Sequence, residues 1–350
     1  MKICVVGAGI FGVTIAWKLA AAGFNVDLYE KKKDILLGTS AVNQLRLHRG
    51  YHYPRSRETA LECLRGEPEF RKEYREAIID KLPHYYCIAS HKSLTSAKQF
   101  AEFSASLNLD CREVSLDFAR KTSIEASFKV KESTINLKEL RRVCSKKLHD
   151  CGIKTIYRAA RLSTLADYDI AVVASYSALN EFFDEGSEES RPYQFEVCEV
   201  GVLKMPGPLT NLSVVVLDGP FVCFDPYGNS GTSLLYDVIQ SVHHTNVGIH
   251  PTVPAKFRKS LNAGIVSPSY ARCRRMIGSA SRFFPSLSDA ERIGSMFTVR
   301  AVPAYREHDD ARPTVVRGIS KRMITVFSGK LCTAVTAANR VVEIAKTGKR

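Results

Sequence analysis

The sequence predicts an α/β protein of two interleaved domains, one built on a parallel sheet and one on an antiparallel sheet. Residues 3–30 read as a strand, a glycine-rich turn, a helix and a second strand, which together form the βαβ unit of a parallel sheet. Residues 190–250 instead carry alternating apolar runs between Pro, Gly and Asn turn signals, which is typical of antiparallel strands. A strand, a turn and a helix return after residue 320, so we expect both ends of the chain to contribute to the parallel sheet.

Composition places the chain among ordinary folded proteins. Its 350 residues are 45% apolar and 25% charged, a balance that excludes disordered and collagen-like chains. No apolar run reaches the roughly 18 residues that a membrane span needs, and no export signal is recognised, so we expect a cytoplasmic protein. The ten cysteines form no C-x-x-C pair, which predicts reduced thiols and no metal site. The net charge of +14 is compatible with nucleic acid, an anionic membrane surface or an acidic small molecule.

The first βαβ unit has the clearest secondary-structure pattern in the sequence. Residues 3–6 are a short apolar run suited to a buried parallel strand. Residues 10–22 then carry apolar side chains at helical spacing, and Gly23 is placed to end the helix. A second strand is predicted over Asn25–Tyr29.

The later elements are predicted from shorter patterns. Residues 34–57 read as a loop rich in arginine, histidine and tyrosine, and residues 58–80 as a charged helix. The other predicted helices cover 137–150 and begin near 333, and the other predicted strands cover 85–90, 153–159, 169–174, 195–204, 213–217, 221–224 and 323–327.

The turn after the first strand, Gly7-Ala8-Gly9-Ile10-Phe11-Gly12, has the G-x-G-x-x-G spacing of a dinucleotide-binding site. The first glycine permits the tight turn, the second lets a pyrophosphate approach the backbone, and the third allows close packing of helix on strand. The helix N-terminus attracts the phosphate charge. Glu30, followed by Lys31, ends the second strand, where a carboxylate binds a ribose diol and repels a 2′-phosphate. The motif thus predicts FAD or NAD rather than NADP, the alternative being a purely structural glycine turn.

Three separated blocks resemble the D-amino-acid-oxidase-type (DAO) superfamily of FAD-dependent oxidoreductases, and within it the flavin-dependent glycerol-3-phosphate and 2-hydroxyglutarate dehydrogenases. The first block joins Gly38-Thr39-Ser40 to the segment Leu47-His48-Arg49-Gly50-Tyr51-His52-Tyr53. The second covers residues 135–153 and 169–174, and the third is the turn Ser328-Gly329-Lys330-Leu331 with the following Cys332 and Thr333.

The resemblance implies a Rossmann-like FAD-binding domain assembled from residues 1–80, 135–180 and 290–350, and an antiparallel-sheet substrate domain from residues 81–134 and 181–289. Besides the glycine turn, the residues that it places beside a non-covalent FAD are Glu30, Lys31, Thr39, Ser40, His48, Ala159, Ala174, Ser175, Gly329, Lys330, Leu331 and Cys332. Cys332 is expected to be a small buried residue rather than a flavin thioether.

Two positions depart from the family pattern. Ala174-Ser175-Tyr176 stands where such families often have Ala-Thr-Gly. Val42 stands where glycerol-3-phosphate enzymes carry an arginine, so their substrate is not carried over to this chain.

The resemblance implies oxidation of a CH–OH or CH–NH group in a small anionic substrate by hydride transfer to flavin. His48 is the first candidate for proton removal because its unperturbed pKa lies near working pH, and His52 is the second. Arg300 is predicted to hold a carboxylate or phosphate through two parallel hydrogen bonds, the alternative being an ion pair with Asp309 or another acid. Lys330 is predicted to stabilise negative charge on the reduced flavin.

Two alternatives remain open at the level of sequence. Arg46, Arg49, Arg55 and Arg57 are expected to present at least one cation to an anion, and the overall basic charge would also suit an RNA-modifying or RNA-binding flavoprotein. The basic residues are distributed and form no known RNA-binding module, so a small anionic substrate is preferred. The altered Ser175-Tyr176 segment would suit a non-catalytic FAD-binding scaffold. The sequence is silent on oligomeric state.

Overall fold

The elements alternate between two large sheets. The computed structural model describes residues 1–184, 186–306 and 308–348, so the last two residues of the predicted 290–350 segment lie outside the described residues. The strands are β1 (Lys2–Val6), β2 (Asn25–Tyr29), β3 (Arg46–Leu47), β4 (Ile78–Ile79), β5 (His84–Ala89), β6 (Cys111–Val114), β7 (Ile124–Val130), β8 (Ser133–Ile135), β9 (Lys154–Ile156), β10 (Ile170–Val173), β11 (Tyr193–Lys204), β12 (Ser213–Leu217), β13 (Val222–Pro226), β14 (Ser233–Asp237), β15 (Val242–Gly248), β16 (Glu291–Pro303), β17 (Val315–Ser320) and β18 (Met323–Phe327).

The α-helices are fewer and mostly short. They are α1 (Ile10–Ala21), α2 (Arg57–Glu73), α3 (Ala97–Ser106), α4 (Leu137–Asp150), α5 (Leu162–Leu165), α6 (Ala255–Arg258), α7 (Cys273–Ala280) and α8 (Ala334–Thr347). Within the described ranges, no helix has both the length and the apolar character that a bilayer crossing requires.

The first sheet has six strands in the order β17-β18-β10-β1-β2-β9. The strands from β18 to β9 pair in parallel, and β17 adds an antiparallel edge. Ile3, Cys4 and Val5 of the central β1 are fully buried, as expected for a parallel strand covered on both faces. Helix α1 connects β1 to β2 and packs against α4 and α8. The predicted Rossmann-like sheet, assembled from both ends of the chain, is confirmed.

The second sheet has nine strands and is mainly antiparallel. Its order is β15-β11-β14-β13-β12-β5-β7-β6, with β16 paired to β11. The long strand β16 pairs with β11 from Tyr193↔Pro303 to Lys204↔Glu291. Residues 290–303 belong to the segment predicted for the FAD-binding domain, and the structure places their strand in the nine-stranded sheet. The domain boundaries stay a prediction. The pairing is long-range, since the hydrogen-bonding partner of β16 lies far earlier in the chain.

A three-stranded sheet, β3-β8-β4, ties the loop segment before α2 to the start of α4. Helix α4 covers the predicted residues 137–150, because the Asn136 side chain accepts hydrogen bonds from the backbone N–H groups of Lys138 and Glu139. Helix α2 ends at Glu73, before the predicted residue 80, because Ile78 and Ile79 pair with β8 instead.

Candidate active site

A cavity of about 930 Å³ is lined by both large sheets and gathers most of the predicted site residues. On the side of the parallel sheet it lies at the carboxyl ends of β1, β2, β10 and β18, where doubly wound sheets bind their ligands. The predicted FAD residues that line it are Gly7, Gly9, Ile10, Phe11, Glu30, Lys31, Thr39, Ser40, His48, Ala159, Ala174, Ser175, Gly329, Lys330 and Leu331. The other three, Ala8, Gly12 and Cys332, are not part of this lining.

The glycines after β1 have distinct steric roles. A Cβ on Gly12 would lie 1.7 Å from the Gly7 carbonyl oxygen, so any side chain there forces α1 away from the turn. Gly7 has a φ of 98°, and a Cβ on it would lie 2.8 Å from the Ala174 carbonyl oxygen. A Cβ on Gly9 would have only the Ser40 hydroxyl oxygen within 4 Å, at 3.2 Å, and Gly9 lines the cavity. The space that a Gly9 side chain would occupy fits the pyrophosphate of a dinucleotide.

The acid at the end of β2 is held by the turn itself. The Glu30 carboxylate accepts hydrogen bonds from the backbone N–H groups of Ala8, at 2.8 Å, and Lys32, at 2.9 Å. Each carboxylate oxygen retains a lone pair for another donor. The Ser40 hydroxyl likewise accepts from the N–H of Ile10 at 3.0 Å. This donor and acceptor set fits a ribose diol and a phosphate side by side.

At Ser175-Tyr176, where the family often has a threonine and a glycine, the tyrosine adopts a left-handed backbone conformation. Tyr176 has a φ of 56°, a conformation that glycine adopts readily and that costs other residues about 1–2 kcal/mol. Its hydroxyl donates to the Ala301 carbonyl oxygen at 2.8 Å, which offsets this cost. The adjacent Ser175 hydroxyl is buried, lines the cavity and has no hydrogen-bond partner among the described residues.

The structure brings together His48, His52 and Lys330. The two imidazole centroids lie 5.2 Å apart, and the Lys330 Nζ lies 4.8 Å from the centroid of the Tyr53 ring. Burial, followed by the charges of Lys330 and Arg46, lowers the pKa of His48 well below its ordinary value. Burial, followed by His48 and Lys330, does the same to the pKa of His52. Both histidines are therefore neutral near pH 7 and keep a ring nitrogen that can accept a hydrogen bond, while the lowered pKa makes each a weaker base than a free imidazole.

The Lys330 turn is fixed by its neighbours. A Cβ on Gly329 would lie 2.4 Å from the Arg312 carbonyl oxygen, so the residue before Lys330 must be glycine. Burial, with a smaller contribution from Arg46, lowers the pKa of Lys330 to about 8. Cys332 is buried and does not line the cavity, and its hydrogen bond with Cys63, together with burial, raises the pKa of the Cys63 thiol.

Arg300 lines the cavity but already has an acidic partner. Its Nε donates to Glu196 Oε2 at 2.7 Å, and its Nη2 contacts the same oxygen across the β11–β16 pair. Gln194 donates to Glu196 Oε1 at 2.7 Å. Burial would raise the pKa of Glu196, but Arg300 and Gln194 outweigh it and lower that pKa. The ion pair is therefore with Glu196 and not with Asp309. Nη1 of Arg300 has no hydrogen-bond partner in the described ranges.

The four arginines of the loop segment separate in the structure. Arg46 is buried and its Nη2 donates to Asp225 at 2.6 Å, while Arg55 Nε donates to Asp218 at 2.6 Å. Arg46, Arg55 and Asp218 line the cavity, whereas Asp225 is not part of its lining. The other two do not line it: Arg49 lies 3.7 Å from Glu67, and Arg57 donates to Ser106. No arginine of this segment is a free anion receptor at the cavity wall.

Sequence reasoning missed several residues of the site. The Gln44 amide lines the cavity, and both of its polar atoms are buried without a hydrogen-bond partner in the described structure. Tyr236 lies under Arg300, with the guanidinium carbon 5.7 Å from the ring centroid. Glu132 lies 3.8 Å from Nδ1 of His48. None of these has a local motif, and only strand pairing places Tyr236 and Glu196 at the site. Among the described residues, no group of three His, Cys, Asp or Glu is placed to hold a metal ion.

Comparisons with known proteins agree with this geometry. Residues 2–135 match the family model described as FAD dependent oxidoreductase, DAO. The chain is 26% identical to the FAD-dependent monooxygenase FPY4 of Fusarium mangiferae over 348 residues, which cover 97% of this chain and 90% of that protein.

Solved structures share the fold at low sequence identity. Glycine oxidase from Geobacillus kaustophilus superposes with a TM-score of 0.72 at 11% identity, covering 100% of this chain and 96% of that one. The FAD complex of glycerol-3-phosphate dehydrogenase from Bacillus halodurans gives a TM-score of 0.64 at 16% identity, covering 99% of this chain and 64% of that one. The family match over residues 2–135, the relative matched over 348 residues and the shared fold together identify the chain as an FAD-dependent oxidoreductase whose N-terminal part carries a DAO-type domain.

Proposed function

We propose that this enzyme oxidises the CH–NH group of a small amino acid or a related acid, with the corresponding 2-hydroxy acid as the closest competing substrate. The observation that carries the proposal is that one cavity contains two neutral histidines, a lysine and an arginine–glutamate pair beside the dinucleotide turn. Bound FAD supplies the hydride acceptor.

Each residue has a separate task in this proposal. Arg300 binds the substrate carboxylate through Nη1 while Glu196 keeps the guanidinium in place. His48, assisted by His52, accepts the proton from the substrate nitrogen or oxygen, since both imidazoles are neutral. Lys330 provides positive charge beside the turn that faces the flavin.

The Arg300–Glu196 pair supports an amine over an alcohol. A carboxylate next to a guanidinium offers one partner to each charge of a zwitterion, whereas a 2-hydroxy acid carries only the negative charge.

Monooxygenation is a second candidate, favoured by one observation. The relative that matches 97% of this chain is named as an FAD-dependent monooxygenase. In that case an atom of molecular oxygen would enter the product, and an external donor such as NADPH would reduce the cofactor.

Anaerobic addition of a panel of D- and L-amino acids and 2-hydroxy acids tests the proposal. We expect at least one amino acid to bleach the flavin absorbance and to yield the matching 2-oxo acid and ammonia. Bleaching by NADPH alone, with oxygen-18 from O₂ in the product, would establish the monooxygenase instead. An RNA gel shift with its salt dependence tests the nucleic-acid alternative.

A further inference from the structure

The cavity is chemically divided along the nine-stranded sheet, with the charged pair on β11 and β16 and an apolar wall on the central strands β12 and β13. The wall is formed by Val215 and Leu217 of β12 with Cys223 of β13, all of which are buried, belong to one core cluster and line the cavity. It is continuous with the charged pair, because Val215 pairs with Cys223, and Cys223 pairs with Tyr236 beneath Arg300.

The apolar wall continues to the mouth of the cavity. Leu94 and Val238 line the cavity although their side chains are 61% and 46% exposed. The Leu94 N–H donates to the Asp218 carbonyl oxygen at 2.8 Å, and the Val238 N–H donates to the Phe221 carbonyl oxygen at 3.0 Å. Both side chains therefore belong to one rim, beside the β12–β13 turn. Exposed apolar groups that continue a cavity wall mark a surface that a ligand covers.

The charged side chains near this rim form ion pairs with each other. Asp218 accepts from Arg55 at 2.6 Å and from the Thr95 hydroxyl at 2.7 Å. Arg312 is paired with Asp310 in the same part of the lining. A polar or charged substrate side chain would have to compete with these contacts, whereas an apolar one would lie along the wall without disturbing them.

We infer that the substrate carries an aliphatic or aromatic body of several carbons. Its carboxylate lies at Arg300, and its apolar end extends along Val215 and Leu217 to Leu94 and Val238. The inference rests on the proposed function for the position of the carboxylate. It goes beyond that function by excluding glycine and the acidic or basic amino acids as preferred substrates.

A homologous series tests the inference with the FAD-loaded enzyme. We expect kcat/KM to rise from alanine through norvaline to norleucine by roughly fourfold per methylene, the value expected for burial of one CH₂ group. Aspartate and lysine should be poor substrates. The reverse order, or no dependence on chain length, would overturn the inference and leave amino-acid oxidation standing.

A pair of neighbouring variants provides the control. Val238→Asp should lower kcat/KM for norleucine at least tenfold while changing that for alanine little. Ile239→Asp is the match, because Ile239 is 59% exposed and does not line the cavity, so it should change neither value. Equal effects of the two substitutions would contradict the placement of the apolar body.

A binding measurement separates this inference from the proposed function. Carboxylates from acetate to hexanoate can be titrated into the oxidised enzyme and followed by their perturbation of the flavin spectrum, without turnover. Affinity that rises with chain length and falls in Val238→Asp supports the inference even if no amino acid reduces the flavin. Affinity that does not change with chain length refutes it, whatever the outcome of the turnover assays.

Discussion

Arg300 can be tested separately as a substrate anchor and as the partner of Glu196. Arg300→Met removes charge-assisted hydrogen bonds that contribute about 1.5–3 kcal/mol, so the KM of the carboxylate substrate should rise roughly tenfold to a hundredfold. The same change leaves Glu196, which is 6% exposed, without its cation. Breaking such a pair costs about 3–5 kcal/mol, so the free energy of unfolding should fall by a similar amount.

The double variant Arg300→Met/Glu196→Gln separates these effects. Without the stranded carboxylate, most of the lost stability should return, while the KM should stay high. Chemical unfolding of the FAD-loaded proteins and steady-state kinetics measure the two quantities, with bound flavin per chain as the control. A wild-type KM in the double variant would show that Arg300 serves only as the partner of Glu196. Loss of flavin from either variant would assign Arg300 to the cofactor or to the fold.

Three further predictions concern the cofactor and the core. The Gly9→Val variant should fold but bind no FAD, because the valine side chain fills the space expected for the pyrophosphate. The control variant Gly278→Ala, at a glycine with open space around it, should keep its FAD and its yellow colour. FAD bound to Gly9→Val would contradict the proposed pyrophosphate site. The midpoint potential of the flavin should fall more steeply with pH above about pH 8, where Lys330 loses its charge. The Lys330→Met variant should have a lower midpoint potential and should lack this change of slope. An unchanged potential in the variant would show that Lys330 does not stabilise negative charge on the reduced flavin. The Arg46→Met variant should lower the free energy of unfolding, measured in urea, by about 3–5 kcal/mol, because Asp225 loses its buried partner. Adding Asp225→Asn should restore part of that free energy. If it restores none, the loss of the ion pair is not the cause of the destabilisation.

The sequence was informative where structure is decided locally. The turn Gly7-x-Gly9-x-x-Gly12, the helix capped by Asn136 and the strand over Met323–Phe327 were all predicted within a residue or two. In each case the necessary signals lie within a few positions of one another: glycines at fixed spacing, a side chain that caps a helix, and an apolar run next to a turn. The same signals predicted where the cofactor turn would lie.

Long-range pairing was not predictable in the same way. Nothing near Arg300 indicates Glu196 as its partner, because the two meet only through the β11–β16 register. The strand over residues 291–303 was not predicted from the sequence for the same reason. Tyr176 is a different case. The absence of glycine there suggested an altered turn, but Tyr176 adopts the left-handed conformation itself, and its hydroxyl donates a hydrogen bond to the distant Ala301 carbonyl oxygen.

The proposed chemistry depends on breaking the bond between the substrate carbon and its hydrogen as the flavin is reduced. Anaerobic single-turnover mixing of the enzyme with an apolar amino acid, protonated or deuterated at that carbon, measures this step directly. We predict flavin bleaching that is several times slower with the deuterated substrate, and slower again in His48→Ala. Flavin that remains oxidised with every amino and 2-hydroxy acid, yet is bleached by NADPH, would contradict the account.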